Sequence, residues 1–480
     1  FKASRRPVVF VGTNSGVLHA FDGRPNGGDE LFAVIPNGSL PRIKELPKPD
    51  YSHLYMLDGS PTQADARIGS SWKTVLLVPG GLGSRSVMAL DVTDAASGFD
   101  AGDFMWEFMD PGLGLALSKP SVVRLQGGQW VAIFGNGINS DDQKSRLYVV
   151  DLATGALVQT VQPDNNGDDS NPNGMVAFIA IDGDFDGGVD TIYTGDLQGR
   201  VYKMEVSNSG SVSMANTIPL FRALDMNGNP QTITGGMDAA LHHLRGNMIY
   251  FGTGRFFAEN DNVVPVAPAP WPQVQSFYGI WDDPTATPGT VQRSALQPQQ
   301  IIAEVTTPQG PARRISQNAV DWTSRRGFYL DLRRQDALSS SALGIRGERA
   351  VGQPRVVLGR VLFTTFTPVG DPCNSGGDNR VYVLEALSGA SSIGTAACPD
   401  CSGIGLPDGP PALNPPVTGT RKDPNRDPNA PPPVDPITGE ILAPPADEGG
   451  CVLSLSVIAA TGAQQLTAVP CGRGGWRQID

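Results

Sequence analysis

Between residues 182 and 190 the chain reads DGDFDGGVD, which sets Asp182, Asp184, Asp186 and Asp190 at positions 1, 3, 5 and 9 of a loop. Acidic oxygens at alternating positions converge when a loop curls around a hard cation, and Gly187 at position 6 permits the sharp turn this needs. Gly188, at position 7, would add its backbone carbonyl. A helix-loop-helix calcium hand continues to a bidentate glutamate at position 12, where this chain has Tyr193. The flanks are MVAFIAI and TIYTGDLQGRVYKMEV, whose β-branched and aromatic content reads as strand. The expectation is therefore a calcium loop strung between two strands, with Asp190 taking the part of the missing glutamate. Four carboxylates drawn this close repel one another unless a cation neutralises them, which favours a metal over a plain acidic turn. A flexible loop of many oxygens suits calcium better than magnesium.

Other groups carry weaker chemistry. The run DNNGDD repeats the spacing with Asp164, Asn166 and Asp168, but Pro172 stands at its ninth position, so it reads as a solvated loop. His242 and His243 are adjacent, and on a strand their side chains would point to opposite faces, against a shared metal. Cysteines fall at 373, 398, 401, 451 and 471, a C-terminal cluster that suggests local bridges in an oxidising compartment, with one thiol left over. Cys451 and Cys471 flank a hairpin that turns at Thr461-Gly462, so their ends could be bridged. Cys398 and Cys401 form a CPDC pair that, without a second pair nearby, reads as a structural turn and not as zinc. No HExxH, GxxxxGK[ST], GxSxG or helix-opening GxGxxG occurs, which removes the commonest hydrolase and nucleotide signatures.

The elements that must hold the loop are short strands and turns. Glycine (58) and proline (41) are abundant and charged residues make up only 18%. A net charge of −12 argues against an electrostatic grip on nucleic acid or anionic lipid. No apolar run reaches the roughly eighteen residues of a membrane span. The chain starts at Phe1 without a signal peptide, so it reads as a soluble fragment of a longer precursor.

One phrase recurs: strand, acidic residue, glycine turn, as in SVMALDVTDAASG, RLYVVDLATGALV, GRVYKMEVSNSG and RVYVLEALSGA. A preceding strand recurs near Ser60, Pro120, Val176, Thr234 and Pro354 at a near-constant interval that doubles at the last step. The doubling implies one more such strand, masked between Gln292 and Trp322. A fixed period of short antiparallel strands is the mark of a β-propeller. Outer hairpins near residues 10, 88, 148, 200, 250–280, 330 and 382 count about seven four-stranded antiparallel blades. The expected fold is thus all-β, a modified, quinoprotein-like propeller filling 1–480 as one domain. Trp72, Trp106, Trp130 and Trp322 read as anchors between blades. Residues 36–58 and 258–275 read as loops on one rim, and 402–450 as a proline-rich insertion, extended or disordered. The hairpin in 451–480 would close the ring by sharing a blade with the strand near Val8 to Val11.

Taken in order, FVGTNSGVLHAFDG, DGSPTQADARI, WKTVLLVPGGLGSRSVMALDVT, DGDFDGGVDTIYTGDLQGRVYKMEV, FGTGRFF and the terminal GGWRQI resemble the C-terminal domain of the PilY family of type IV pilus tip-associated adhesin and biogenesis proteins. The resemblance covers most of the chain apart from the proline-rich insertion. It implies a modified seven-bladed propeller preceded by a variable N-terminal region. It also implies a non-enzymatic, exported protein at the pilus tip and cell surface (the fimbrium), associated with the outer membrane. Such a protein works with minor pilins and the pilus tip complex, promotes assembly or opposes retraction, and supports twitching motility and adhesion to a host or abiotic surface. In the family, occupancy of a calcium loop of this pattern governs the balance of extension and retraction. By resemblance its ligands are Asp182, Asp184, Asp186, the carbonyl of Gly188, and Asp190. The family admits asparagine at the third position, and the extra charge of Asp184 should tighten the site or make it more salt-sensitive. No RGD occurs; the nearest sequence is Arg346-Gly347-Glu348, which does not support integrin binding.

Two alternatives belong to other classes. LYVVDLATGALV is also similar to phrases of pyrroloquinoline-quinone dehydrogenase propellers. That class gathers its calcium carboxylates from several blades and often has adjacent cysteines, whereas here the carboxylates share one loop and no two cysteines adjoin. The other alternative is a generic protein- or glycan-binding propeller.

Overall fold

The computed structural model describes residues 5–163, 167–216, 218–258, 261–263, 272–307, 310–334, 347–369, 376–392, 398, 400–406 and, as backbone, 417–422, 451–459 and 462–470. Five four-stranded antiparallel blades follow one another along the chain. Blade 1 comprises Thr62–Ile68, Ser71–Pro79, Val87–Asp91 and Phe104–Phe108. Blade 2 comprises Ser121–Arg124, Trp130–Gly135, Leu147–Asp151 and Leu157–Val161. Blade 3 comprises Met175–Ile181, Thr191–Asp196, Arg200–Val206 and Val212–Met214, with the short strand Phe221–Arg222 also pairing with its third strand. Blade 4 is built from Met237–Leu241, Asn247–Gly252, Ser276–Asp282 and Gly327–Arg334, and blade 5 from Arg355–Val357, Arg360–Pro368, Gly377–Glu385 and Ile404–Gly405. The recurring strand of the sequence is in every case the first strand of a blade. First strands of successive blades touch between blades 1 and 2, 3 and 4, and 4 and 5, as the inner strands of a propeller do.

The reason these segments stack is visible in their alternation. Along Asn247–Gly252, Ile249 and Phe251 pack into the seam with blade 3, against Tyr193 and Val201. Met248 and Tyr250 pack into the seam with blade 5, against Phe363 and Tyr382. Successive side chains of a strand point to opposite faces, so a strand buried on both faces reads as an unbroken apolar run. Equivalent clusters fill the seams of blades 1 and 2 and of blades 2 and 3. Trp106 anchors the first of these, with Nε1 donating to the carbonyl of Leu152 at 2.8 Å. Trp72, by contrast, is half exposed and meets Trp130 edge to face at the surface.

Among the described residues five four-stranded blades replace the expected seven. The hairpin near residue 10 belongs to a three-stranded sheet, Val8–Gly12, Leu18–Asp22 and Glu30–Val34, which packs on blade 1. The hairpins at 250–280 and 330 lie in one sheet, since Ser276–Asp282 pairs directly with Gly327–Arg334. The doubled interval contains no further blade among the described residues. Its extra strands, Gln297–Thr307 and Gly310–Ile315, extend the outer edge of blade 4, the first running parallel to Gly327–Arg334. Cys401–Ser402 extends that edge again, pairing with Gly310–Ile315.

Within 402–450, Ile404–Gly405 pairs with blade 5, and Val417–Lys422 pairs with Cys451–Ala459. Residues 407–416 and 423–450 lie outside the described residues. The C-terminal hairpin is Cys451–Ala459 with Gly462–Pro470, and with Val417–Lys422 it forms a three-stranded sheet separate from that of Val8–Gly12. Cys471 lies outside the described residues, and with it the Cys451–Cys471 bridge. Among the described residues no helix is long and apolar enough to cross a membrane.

Candidate functional site

The acidic loop joins the first and second strands of blade 3. Its base is closed by Asp190 N donating to the Ile181 carbonyl at 2.8 Å, and Val206 N, at the end of the third strand, donates to the Asp190 carbonyl at 2.9 Å. The tip turns through left-handed backbone at Gly187 (φ 86°) and at Phe185 (φ 64°), whose ring is exposed. Glycine takes this conformation freely and phenylalanine does not, so the curl is held by the bonds around it. Those bonds come from the loop's own carboxylates. Gly183 N donates to Asp190 Oδ2 at 2.7 Å, Gly187 N to Asp182 Oδ2 at 2.8 Å, and Gly188 N to Asp186 Oδ1 at 2.7 Å.

Carboxylate oxygens of Asp182, Asp184 and Asp190 lie within 4.8 Å of one another. Asp186 stands apart from this trio, with its Oδ1 engaged by Gly188 N and, at 3.4 Å, by Gln126 Nε2. Asp182 Oδ1 is buried and makes no hydrogen bond among the described residues. A buried carboxylate oxygen without a donor is costly, and a cation is one of the few partners that removes the cost without new protein contacts. Three converging carboxylates with an orphaned buried oxygen fit a hard divalent cation.

Groups from blade 2 also meet the loop. Val189 N donates to the Arg124 carbonyl at 2.8 Å, and Gln126 Nε2 donates to Asp190 Oδ1 at 2.6 Å. The loop therefore straddles the seam of blades 2 and 3. Neither residue is marked by its local sequence, since VRLQGG reads only as a strand ending in a turn.

The remaining candidates are placed otherwise. His242 and His243 follow the end of their strand at Leu241, in a turn closed by His242 N donating to the Gly246 carbonyl at 2.8 Å. Strand alternation does not apply there, and the two rings lie 4.4 Å apart, with His242 stacked on Trp281. Burial, with His243 alongside, pushes the His242 pKa down to about 4. Cys398 and Cys401 form a disulfide across a Cα separation of 5.4 Å, which makes CPDC a covalent turn. In the second acidic run, 164–166 lie outside the described residues.

Residues 1–305 match the family model described as the PilY1 beta-propeller domain. The chain is 38% identical over 413 residues to a type IV pilus biogenesis factor PilY1 homolog of Xylella fastidiosa, covering 82% of this chain and 27% of that protein. It is 33% identical over 429 residues to type IV pilus biogenesis factor PilY1 of Pseudomonas aeruginosa, covering 80% of this chain and 35% of that protein. The chain thus spans about a third of the length of these relatives. Among solved structures, the P. aeruginosa PilY1 C-terminal domain superposes with a TM-score of 0.74 at 25% identity, over 97% of this chain and 93% of that one.

Proposed function

This chain belongs to the PilY1 β-propeller family, and on that premise we propose that it is the calcium-binding propeller of a type IV pilus biogenesis factor. In this reading it acts at the pilus tip and cell surface, exported and outer-membrane associated, with minor pilins and the tip complex as partners. It promotes assembly, opposes retraction, and supports twitching motility and surface adhesion. It does so by binding, without catalysing a reaction. Its ion is Ca2+, held by the converging Asp182, Asp184 and Asp190 and the backbone carbonyl of Gly188, with Asp186 reaching it through the carboxylate oxygen that Gly188 N does not engage.

The observation that carries the calcium reading is the buried, unbonded Oδ1 of Asp182 beside the oxygens of Asp184 and Asp190. Bound calcium supplies the positive charge that lets these carboxylates share one small space. The protein's part is to pre-curl the loop through Gly187 and to tie it to blade 2 through Val189 and Gln126. An ion that binds only the folded loop stabilises it by linkage, by ~2.7 kcal/mol at a hundred times its dissociation constant. The stiffened seam of blades 2 and 3 would then present a fixed surface to a pilin.

The test is calorimetric titration with calcium of the protein and of Asp190→Ala, with piliation and twitching assayed in cells carrying the same substitution. One binding event lost in the variant, together with changed piliation, supports the reading. Calcium binding lost while piliation and twitching stay normal removes the regulatory role, and no binding at millimolar calcium removes the site.

A further inference from the structure

Three arginines gather at the seam of blades 3 and 4, on the opposite rim from the acidic loop. That loop joins the first and second strands of blade 3, whereas Arg200 opens the third strand after the turn at the other end. Phe221–Arg222 pairs with this third strand in a register that sets Arg200 directly opposite Arg222. Like charges facing each other across an antiparallel ladder are destabilising. Both residues also bury a nitrogen that makes no hydrogen bond among the described residues, Nη1 of Arg200 and Nε of Arg222. Arg293 of blade 4 joins them, its Nη1 donating to the Leu224 carbonyl at 2.9 Å and its guanidinium lying 3.8 Å over the Tyr329 ring.

The three arginines line one cavity of about 510 Å³ together with Pro219, Leu224 and Val291. Its walls are tied together by backbone and side chain. Val291 N donates to the Leu220 carbonyl at 2.7 Å, and Thr290 Oγ1 donates to the Pro219 carbonyl at 2.8 Å. The counter-charge is incomplete. Asp331 pairs with Arg293. Asp196 Oδ2 is 3.8 Å from Arg200 Nη1 but already accepts from Asn173 Nδ2 at 2.8 Å, and Asp196 Oδ1 accepts from the backbone N–H groups of Gln198 and Arg200. Arg222 has no carboxylate partner among the described residues.

We propose that this cavity binds an anionic sugar, a saccharide-sized molecule whose carboxylate or phosphate oxygens bridge Arg200 and Arg222 while its body lies against Leu224 and Val291. A guanidinium fork matches two oxygens on one centre, and two opposed forks are relieved of their repulsion by an anion placed between them. The volume falls in the range of pockets that enclose small organic ligands, roughly 300–1,000 Å³. The apolar wall rewards an organic body over a bare inorganic ion.

The test titrates the protein calorimetrically with glucuronate, glucose 6-phosphate, glucose and inorganic phosphate. At least one anionic sugar should bind, with affinity falling about tenfold or more in Arg222→Gln and also at high salt, and glucose should not. Glucuronate and glucose 6-phosphate separate the carboxylate from the phosphate source. Arg222→Lys, which keeps the charge and loses the fork, should fall between wild type and Arg222→Gln. Inorganic phosphate binding as tightly as the sugars, no binding of either anionic sugar, or unchanged affinity in Arg222→Gln would overturn the proposal. The melting temperature without ligand is a second readout. Relief of the Arg200–Arg222 repulsion should raise it in Arg222→Gln, whereas a fall would mark Arg222 as structural and count against the site.

Discussion

Gln126 of blade 2 donates its side-chain amide to Asp190 of blade 3 at 2.6 Å, fixing one oxygen of the acidic loop from across a blade seam. Groups that orient the carboxylates around an ion commonly change its affinity by about 10- to 100-fold when removed. Gln126→Ala should therefore weaken calcium binding by about tenfold while leaving the melting temperature without calcium close to wild type. Calorimetry beside a calcium-free melt checks this. Unchanged affinity would mean that the loop is oriented by its own backbone bonds alone.

Gly155 and Gly228 both occupy left-handed backbone, at φ 72° and 82°. They differ in surroundings. A Cβ on Gly155 would lie 2.6 Å from the Trp106 ring, whereas one on Gly228 would meet nothing within 4 Å. Gly228→Ala should cost only the strain of the conformation, ~1–2 kcal/mol. Gly155→Ala should cost at least ~2 kcal/mol more, because the ring that anchors blades 1 and 2 must move. Urea unfolding of the two variants gives the comparison, and equal losses would show that Trp106 does not fix the seam.

Asp196 is fully buried, and burial raises its pKa to about 6 despite the hydrogen bonds from Asn173 and two backbone N–H groups. The folded state therefore holds its proton more tightly than the unfolded state does. Stability from this group is complete below about pH 4, the ordinary aspartate range, and is lost as pH rises through about 6. The loss is on the order of 3 kcal/mol. Asp196→Asn, which cannot ionise, should flatten this descent relative to wild type in urea midpoints taken between pH 4 and 7. Parallel profiles for the two proteins would refute the assignment.

The first strands of blades 3 and 4 are legible in the sequence because both their faces are buried. MVAFIAI, for example, becomes Met175–Ile181, packed against blades 2 and 4. The acidic loop is legible because its ligand candidates are consecutive. What the sequence hides depends on pairing between distant segments. The strand Gln297–Thr307 adds to blade 4 in parallel, and nothing in its composition distinguishes that from the start of a new blade, so one of the two surplus blades follows from a correct period wrongly extended, and the other from the three-stranded sheet that begins at Val8. Gln126 reaches Asp190 across 64 residues with no local signature. The opposition of Arg200 and Arg222 exists only once the register of a two-residue strand is known.

His242 offers the opposite sign to Asp196. Its ring lies between Trp281, on which it stacks at 4.3 Å, and Trp322, which it meets edge-on at 4.4 Å. Burial pushes its pKa down to about 4, His243 and Arg245 push the same way, and Asp283 opposes them. The folded state therefore prefers neutral imidazole. Its contribution is complete above the ordinary histidine value of about 6.5 and is lost as pH falls towards 4. His242→Phe keeps an aromatic ring in the slot and has no proton to gain. Melts followed by tryptophan fluorescence should show wild type losing stability between pH 6.5 and 4 relative to this variant, with the two converging towards a constant offset above pH 7. If the difference between them is the same at pH 7 and pH 4.5, protonation of His242 is not coupled to the fold and the stack on Trp281 is a packing contact alone.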